Sequence, residues 1–359
     1  MRIAHVILSS GFAGSERSTA ESCNAQCHEH DVLLVLRKQH RQESTGASIV
    51  DYLDARVRVV EIPTRLFAKH YLQVALDAFQ PDVAHAHLRR STRLLSRCKT
   101  NAVKVSTLHL GINGPQFLQM DGLICISPWQ LKTIPQDYAG DARMIRNSLV
   151  PHPQIDVARR DELRQEMGAG PDTFLIGGVG RLGRSKGWDI LLRAFSKAEL
   201  PNTRLVLIGE GSERKKLQRH AGSAVQFLGF RSKVKDYYQA FDLFVCPSRT
   251  EPMGRVILEA LDAGVPVIAS DADGPKEILA EYPGVLVPVA DVDALKQALH
   301  FAWERRTEPS TVADVSAHYL DTVSGEMTQF YRDLSLRKHS ATSASRVMSM
   351  NRLGHFQDA

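Results

Sequence analysis

Apolar and polar positions fall in repeating blocks along this chain: a short aliphatic run, a Gly-containing or polar turn, then a longer amphipathic stretch. Residues 2–8, 31–36, 57–62, 83–86, 103–108 and 122–126 read as strands, with helices over 15–28, 70–79 and 91–98 among the segments between them. The runs are continuously apolar rather than alternating, which predicts parallel strands covered by helices on both faces. A second series follows, with strands over 174–180, 203–209, 225–229, 242–246, 265–270 and 285–288, and helices over 188–195, 213–221, 234–240, 255–263 and 291–305. The Pro- and charge-rich stretch 151–171 joins the two series and holds one short predicted helix over 156–167. The expectation is an α/β chain of two doubly wound, Rossmann-like parallel-sheet domains, residues 1–150 and 151–311, facing a cleft. Functional residues should lie in loops at the carboxyl ends of strands. An amphipathic helix is predicted over 312–336. Residues 337–359 read as a flexible tail in which 347–356 could lie on a membrane as a weak helix.

Composition sharpens this picture in a few places. A chain of 359 residues exceeds one ordinary core, and 43% hydrophobic with 24% charged residues is the balance of a soluble globular protein. No run approaches 18 apolar residues, and the opening M-R-I-A-H-V-I-L-S-S-G reads as a buried first strand rather than a signal peptide. The five cysteines are scattered and odd in number, which predicts reduced thiols in a cytoplasmic protein. Cys23, Cys27, His28 and His30 fall on an amphipathic helix without a second ligand pair, so no metal site is expected there. The net charge is +5, and residues 1–150 carry the whole excess, 18 Lys and Arg against 13 Asp and Glu. Clusters at Arg37-Lys38-Gln39-His40-Arg41 and Arg89-Arg90-Ser91-Thr92-Arg93, with Arg97 and Lys99, form a basic face suited to anionic headgroups, a phosphorylated glycan or nucleic acid.

The stretch 248–264, S-R-T-E-P-M-G-R-V-I-L-E-A-L-D-A-G, holds Glu251 and Glu259 with Pro252 and Gly254 between them. A helix through all eight steps would leave the carboxylates about 80° out of register and roughly 12 Å apart. Pro252 instead suits a helix entrance, and Gly254 lets a ligand approach bare backbone. Glu251 then precedes the helix and Glu259 lies in its first turns, with anion-binding N–H groups between them. A ligand with hydroxyls at each end and phosphate in the middle, such as a nucleotide sugar, matches that arrangement. The alternative is a capping Glu251 and a solvated Glu259. In G-R-L-G-R-S-K-G-W-D, Arg181, Arg184 and Lys186 follow a strand and precede a helix, the makings of a diphosphate clamp. Glu210, between Gly209 and Gly211, marks another tight strand end. The turn G-F-A-G-S-E-R lacks the full dinucleotide-binding spacing. P-D-V-A-H-A-H and T-L-H-L-G bring His85, His87 and His109 to strand ends, where each histidine can be packed or functional. D-A-D-G over 271–274 reads as a turn rather than a metal-held diphosphate site.

The ordered set of D-L-F-V-C-P-S-R-T-E-P-M-G-R-V-I-L-E-A-L-D-A-G-V-P-V-I-A-S, G-R-L-G-R-S-K-G-W-D, L-V-L-I-G-E-G and V-Q-F-L-G-F resembles the retaining glycosyltransferases of family 4 and their E-x7-E signature. The likeness runs from residue 1 to about 331. It implies a GT-B fold, with the helix from 312 onward crossing back to the first domain. It also implies roles. Arg181 and Lys186 would hold the donor diphosphate, Glu259 the ribose, and Glu251 the hydroxyls of the transferred sugar. Backbone at Met253, Gly254, Arg255 and Val256 would touch sugar and phosphate, and backbone around Phe230 and Arg231 the base. Gly14 would lie near the diphosphate, and His109 would contact the sugar where the acceptor arrives. Glu251, His109, Arg181 and Lys186 form the implied catalytic set, with no metal and no cofactor. The donor would be a UDP-sugar, or alternatively GDP-mannose. The acceptor would be a glycan or lipid-linked glycan in lipopolysaccharide or cell-surface polysaccharide synthesis, reached from the cytoplasm or the inner face of the membrane, with no nucleic acid involved. Asn147 falls at the family's Asn-Gly hinge with Ser148 in place of Gly. A phosphorylase-like enzyme with lysine-bound pyridoxal phosphate, a sugar-nucleotide epimerase and a non-catalytic nucleotide-sugar binder remain as alternatives.

Overall fold

The computed structural model describes residues 1–43 and 45–354, with side chains described up to 340. The chain divides into two compact units, Met1–Ser148 with Leu320–Ala359, and Leu149–Tyr319. In the first unit β1 (Arg2–Ile7), α1 (Gly14–Gln26), β2 (Asp31–Arg37), β3 (Arg58–Ile62), α2 (Ala68–Phe79), β4 (Val83–His87), α3 (Leu88–Ser96), β5 (Val103–Leu108), β6 (Gly122–Cys125), α4 (Pro128–Leu131) and β7 (Asp141–Met144) follow in order. The second unit contributes α5 (Val157–Glu166), β8 (Phe174–Val179), α6 (Trp188–Ala198), β9 (Thr203–Ile208), α7 (Arg214–His220), β10 (Val225–Gly229), α8 (Val234–Tyr238), β11 (Leu243–Cys246), α9 (Arg255–Asp262), β12 (Val267–Ser270), α10 (Asp273–Glu281), β13 (Val285–Val287) and α11 (Val292–Glu304). The last helix, α12 (Leu320–Gly354), belongs to the first unit.

Each unit is one parallel sheet, ordered β3-β2-β1-β4-β5-β6-β7 in the first and β10-β9-β8-β11-β12-β13 in the second. The near-continuous burial of β1, β2, β8 and β9 is what their unbroken apolar runs require of strands covered on both faces. In the first unit Leu72, Leu76, Phe79 and Leu95 from α2 and α3 join the core that includes Ala4, Val6 and Ala84. In the second, Leu191 and Phe195 of α6 and Leu295 and Leu299 of α11 pack with Ile176, Leu207 and Val245. Buried Arg164 of α5 ties the amino ends of β8 and β11 together. Its guanidinium donates to Asp242 Oδ2 at 3.0 Å, Ala240 O at 2.9 Å and Thr173 O at 2.5 Å.

One strand was not foreseen and two expectations need correction. β7 is an edge strand with every side chain half-buried, so it lacks the apolar run by which its neighbours are recognised. The D-A-D-G segment is not a turn, since α10 begins at Asp273 and carries Gly274 and Pro275 in its first turn, where a missing N–H costs nothing. The predicted helix over 312–336 instead starts at Leu320 and continues to Gly354, past the point where the tail was expected. Lys338 secures that extension by donating to Ala102 O at 2.9 Å and Asp121 Oδ2 at 3.0 Å. The suggested membrane-contacting segment 347–356 lies outside the residues whose side chains are described.

An unusual polar cluster sits in the first unit. His5 of β1 and His85 and His87 of β4 are buried, and His5 and His85 share a register position. Burial lowers the pKa of His5 to about 4 and holds His85 and His87 well below the ordinary histidine range, so all three are neutral near pH 7. In the unfolded chain these rings titrate near pH 6.5. Their contribution is therefore complete above pH 6.5 and is lost as pH falls toward the folded values, because only the unfolded state takes up protons in that window. We expect the urea midpoint to fall steadily from pH 6.5 to 5, above the range in which carboxylates titrate, with His5 alone costing on the order of 3 kcal/mol once pH reaches 4. A midpoint constant over that range would contradict buried neutral rings.

Candidate functional site

The strand order of the second unit reverses between β8 and β11. Chains leaving two such strands turn to opposite faces and open a crevice beyond their carboxyl ends. The segments leaving these strands, 180–187 and 247–254, carry most of the residues singled out from the sequence. They are stitched together: Arg249 N donates to Ser185 O at 2.7 Å, and its guanidinium reaches Arg184 O at 2.9 Å. The same guanidinium forms a fork with both Asp189 oxygens at 2.7 Å, which holds that carboxylate below its ordinary pKa. Gly187 has φ +70, and a Cβ there would lie 1.9 Å from Pro247 O, so only glycine lets the two loops close.

Within this frame the Lys186 ammonium pairs with Glu251 Oε2. Ser248 Oγ donates to the same oxygen at 3.3 Å. Glu251 is only 8% exposed, yet its other oxygen, Oε1, has no hydrogen bond among the described residues. One edge of the carboxylate is fixed and the other is available to a donor. After Pro252, Met253 and left-handed Gly254 (φ +88), α9 begins at Arg255, and its first turn presents backbone N–H groups without intrahelical acceptors.

Glu259 lies one turn inside α9 and is 3% exposed. Tyr238 OH donates to its Oε2 at 2.8 Å and Arg255 Nε to its Oε1 at 3.3 Å. Glu259 is therefore not the solvated helix residue of the alternative reading, and Arg255 acts through this buried pair. Glu251 is not a simple helix cap either, because its carboxylate is turned to the neighbouring loop.

Arg181 is exposed and its guanidinium has no partner among the described residues, while its carbonyl is anchored by Trp188 Nε1 at 2.9 Å. The Arg231 side chain is committed to Glu166 Oε1 (2.9 Å), Tyr237 OH (3.1 Å) and Leu228 O (2.5 Å), so only backbone around half-buried Phe230 and Arg231 is left for a ligand. Glu210 pairs with Arg214. Val256, half-buried in the first turn of α9, has no polar side-chain group to offer.

In the first unit Gly14 opens α1, where Ala13 N and Ser15 Oγ both donate to Glu16 Oε2 at 2.9 Å. His109 follows β5, with Nε2 3.4 Å from His87 Nδ1, and burial lowers its pKa to about 4. Asn147 accepts from Ser18 Oγ at 2.7 Å, and Ser148 ends the first of the two segments that make up the first unit. Cys23 is fully buried, whereas Cys27, His28 and Asp54 bring ligand atoms within 4.8 Å of one another. The Arg56 guanidinium already bonds both His28 and Asp54, a cation where a metal would have to sit.

Tyr238, Asp189 and Arg249 escaped the reading of the sequence. Asp189 stood in the quoted G-W-D and Arg249 in S-R-T-E, but their pairing joins segments sixty residues apart. Tyr238 sat on an amphipathic helix as a core residue, and only the need of a buried hydroxyl for a partner could have flagged it.

Residues 159–313 match the family model for glycosyl transferases group 1. The chain is 28% identical to the lipopolysaccharide core biosynthesis glycosyltransferase LpsD of Rhizobium meliloti, over 90% of this chain and 93% of that protein. It is 27% identical to a GDP-mannose-dependent alpha-mannosyltransferase of Mycolicibacterium smegmatis, over 77% of this chain and 81% of that protein. Among solved structures, Anabaena HepE in complex with UDP and glucose superposes with a TM-score of 0.78 at 20% identity, covering 92% of this chain and 99% of that one. Two parallel-sheet units with such neighbours make this a GT-B fold, and the residues that match the group 1 model lie within its second unit.

Proposed function

We propose that the protein is a retaining, metal-independent glycosyltransferase. It moves a sugar from a UDP-sugar to a glycan or lipid-linked acceptor in lipopolysaccharide or cell-surface polysaccharide synthesis. The observation that carries this reading is the Lys186–Glu251 pair, held at the strand-order reversal beside the amino end of α9. A diphosphate would take over the ammonium of Lys186, with Arg181 and the α9 N–H groups sharing its charge. Glu251 would then present its carboxylate to the sugar hydroxyls, and Glu259 would meet the ribose. Backbone from Met253 to Val256 and around Phe230 would complete the donor site of the second unit, and Gly14 and His109 would keep the roles that the family resemblance implies for them, toward a diphosphate and a sugar respectively. As the bond between the anomeric carbon and the diphosphate breaks, the acceptor oxygen bonds to that carbon from the same face and its proton passes to a diphosphate oxygen.

GDP-mannose is the second donor reading, favoured by the mannosyltransferase relative that matches over most of the chain. No helix among the described residues is long and apolar enough to cross a membrane. Contact with an anionic membrane would use the first unit, where Leu66 (78% exposed) and Phe67 (71% exposed) precede α2, and Lys69, Tyr71 and Val74 project from it. The protein would then work at the inner face of the cytoplasmic membrane.

A thermal-shift panel of UDP, GDP, ADP and their sugars should single out one base, with a shift growing as RT ln(1 + [L]/Kd). No shift with any of them would sink the donor site, and a GDP preference would move the reading to mannose. With the donor so identified, Lys186→Ala should lower kcat by on the order of 10²-fold, whereas turnover within threefold of wild type would remove Lys186 from the chemistry. The anomeric coupling constant of the product, read by NMR, should show the configuration of the donor. For the membrane reading, Leu66→Ser/Phe67→Ser should release the protein from phosphatidylglycerol vesicles without changing hydrolysis of the donor, and undiminished sedimentation would contradict that surface.

A further inference from the structure

The buried histidines of the first unit are ordered into a chain. Gln26 at the end of α1 donates from Nε2 to Met327 Sδ at 3.4 Å. A thioether sulfur cannot donate, so the amide is oriented with its nitrogen toward α12 and its oxygen toward the sheet. That oxygen lies 2.8 Å from His5 Nε2. His5 Nδ1 lies 3.0 Å from His87 Nε2, and His87 Nδ1 lies 3.4 Å from His109 Nε2.

An amide oxygen only accepts, so His5 must carry its proton on Nε2. A neutral imidazole has one N–H, which leaves His5 Nδ1 an acceptor and obliges His87 to donate from Nε2. By the same step His87 Nδ1 accepts, and His109 donates from Nε2. His109 Nδ1 has no partner among the described residues. Each ring is neutral because burial disfavours its cation, and a second proton on His5 or His87 would set one N–H against another. The reverse order would need the amide oxygen of Gln26 to face sulfur. His85 stands apart from this chain, bonded to Tyr331 OH at 2.6 Å and Thr107 Oγ1 at 2.8 Å. His5, His85 and His87 also bring nitrogens within 4.8 Å of one another, but the nitrogens that would ligate a metal are already engaged in these bonds.

We infer that Gln26, His5 and His87 are positioning residues that lock His109 as its Nε2–H tautomer and hold Nδ1 unprotonated beyond β5, as a hydrogen-bond acceptor for a ligand hydroxyl. The use of that acceptor by the sugar rests on the function proposed above, whereas the tautomer itself does not. Phosphate oxygens only accept, so an unprotonated imidazole nitrogen pairs with an O–H or N–H donor of a ligand and not with its phosphates.

Long-range proton–nitrogen correlation spectra of the full chain labelled with nitrogen-15 histidine, at pH 7.5, should show His5, His87 and His109 all as Nε2–H tautomers. Gln26→Met removes the anchor while keeping side-chain volume, and should leave His109 as a mixture of tautomers. His87→Asn supplies an amide N–H toward His5 and a carbonyl toward His109 and should restore the single tautomer, whereas His87→Phe should not. With a glycosyl donor, kcat should fall about tenfold in Gln26→Met with KM within twofold, the signature of an interaction used in the transition state. A Nδ1–H tautomer at His109 in the wild type, or an unchanged His109 in Gln26→Met, would overturn the relay. An intact relay with unaltered turnover would overturn the use of Nδ1 by the sugar.

Discussion

The reversal of strand order at β8 and β11 is the constraint from which the candidate site follows. Neighbouring parallel strands whose connections leave toward opposite faces cannot cover their own carboxyl ends, so a crevice is left in an otherwise closed layer. Polar groups placed there keep more solvent contact than groups inside the sheet, the Lys186 side chain being 25% exposed and that of Glu251 10%. The chain uses that latitude for an ammonium and a carboxylate. Lys186 and Glu251 neutralise each other, and the loops that carry them are locked by the Arg249–Asp189 fork and by the close approach at Gly187. Breaking one partner of such a pair leaves a charge exposed to a poor solvent, whereas an incoming anion replaces one counter-charge with another. The pair is therefore charge-neutral in the structure, and under the function proposed above an anionic ligand would take over one of its counter-charges.

The first unit meets the same topological opportunity with different chemistry. Its reversal lies between β1 and β4, and the groups gathered on those strands are His5, His85 and His87. Here the groups sit within the sheet layer rather than beyond it, and burial at that depth is prohibitive for charge but tolerable for neutral rings whose nitrogens are matched donor to acceptor. Gln26, Met327 and Tyr331 make the match from the covering helices α1 and α12. The return of α12 to the first unit is thus more than added apolar cover, since without it the amide that begins the histidine chain would have no fixed orientation.

How far the sequence foretold this depends on whether a residue's role was local. The strands and most helices were legible because apolar periodicity is imposed by the element itself, and the Glu251 to Glu259 stretch was legible because Pro252 and Gly254 mark a helix entrance in any context. β7 and the start of α10 were not, the first because an edge strand is only half-buried, the second because Gly and Pro serve a first helical turn as readily as a loop. Arg249 with Asp189 and Tyr238 with Glu259 were invisible for another reason. Each joins residues brought together only by the crossing of two βα units, and neither partner is unusual at its own position. The histidines were visible as residues at strand ends, but their order, and so the identity of the donor in each bond, needed Gln26 and Met327 from distant helices.

The two carboxylates at the centre of the second unit show why spacing alone could not assign their roles. Glu259 has a donor on each oxygen, from Tyr238 and Arg255, and nearly no exposure, so its position is set by the fold before any ligand arrives. Among the described residues Glu251 is bound through Oε2 alone, by a lysine and a hydroxyl, and its Oε1 has no partner. A carboxylate held on both sides can orient a ligand but has little freedom to follow a reaction. One held on a single side, through a cation that a diphosphate would claim under the function proposed above, would change its electrostatic surroundings on binding. The difference between the pair lies in Tyr238 and Lys186, which are not part of the E-x7-E spacing at all.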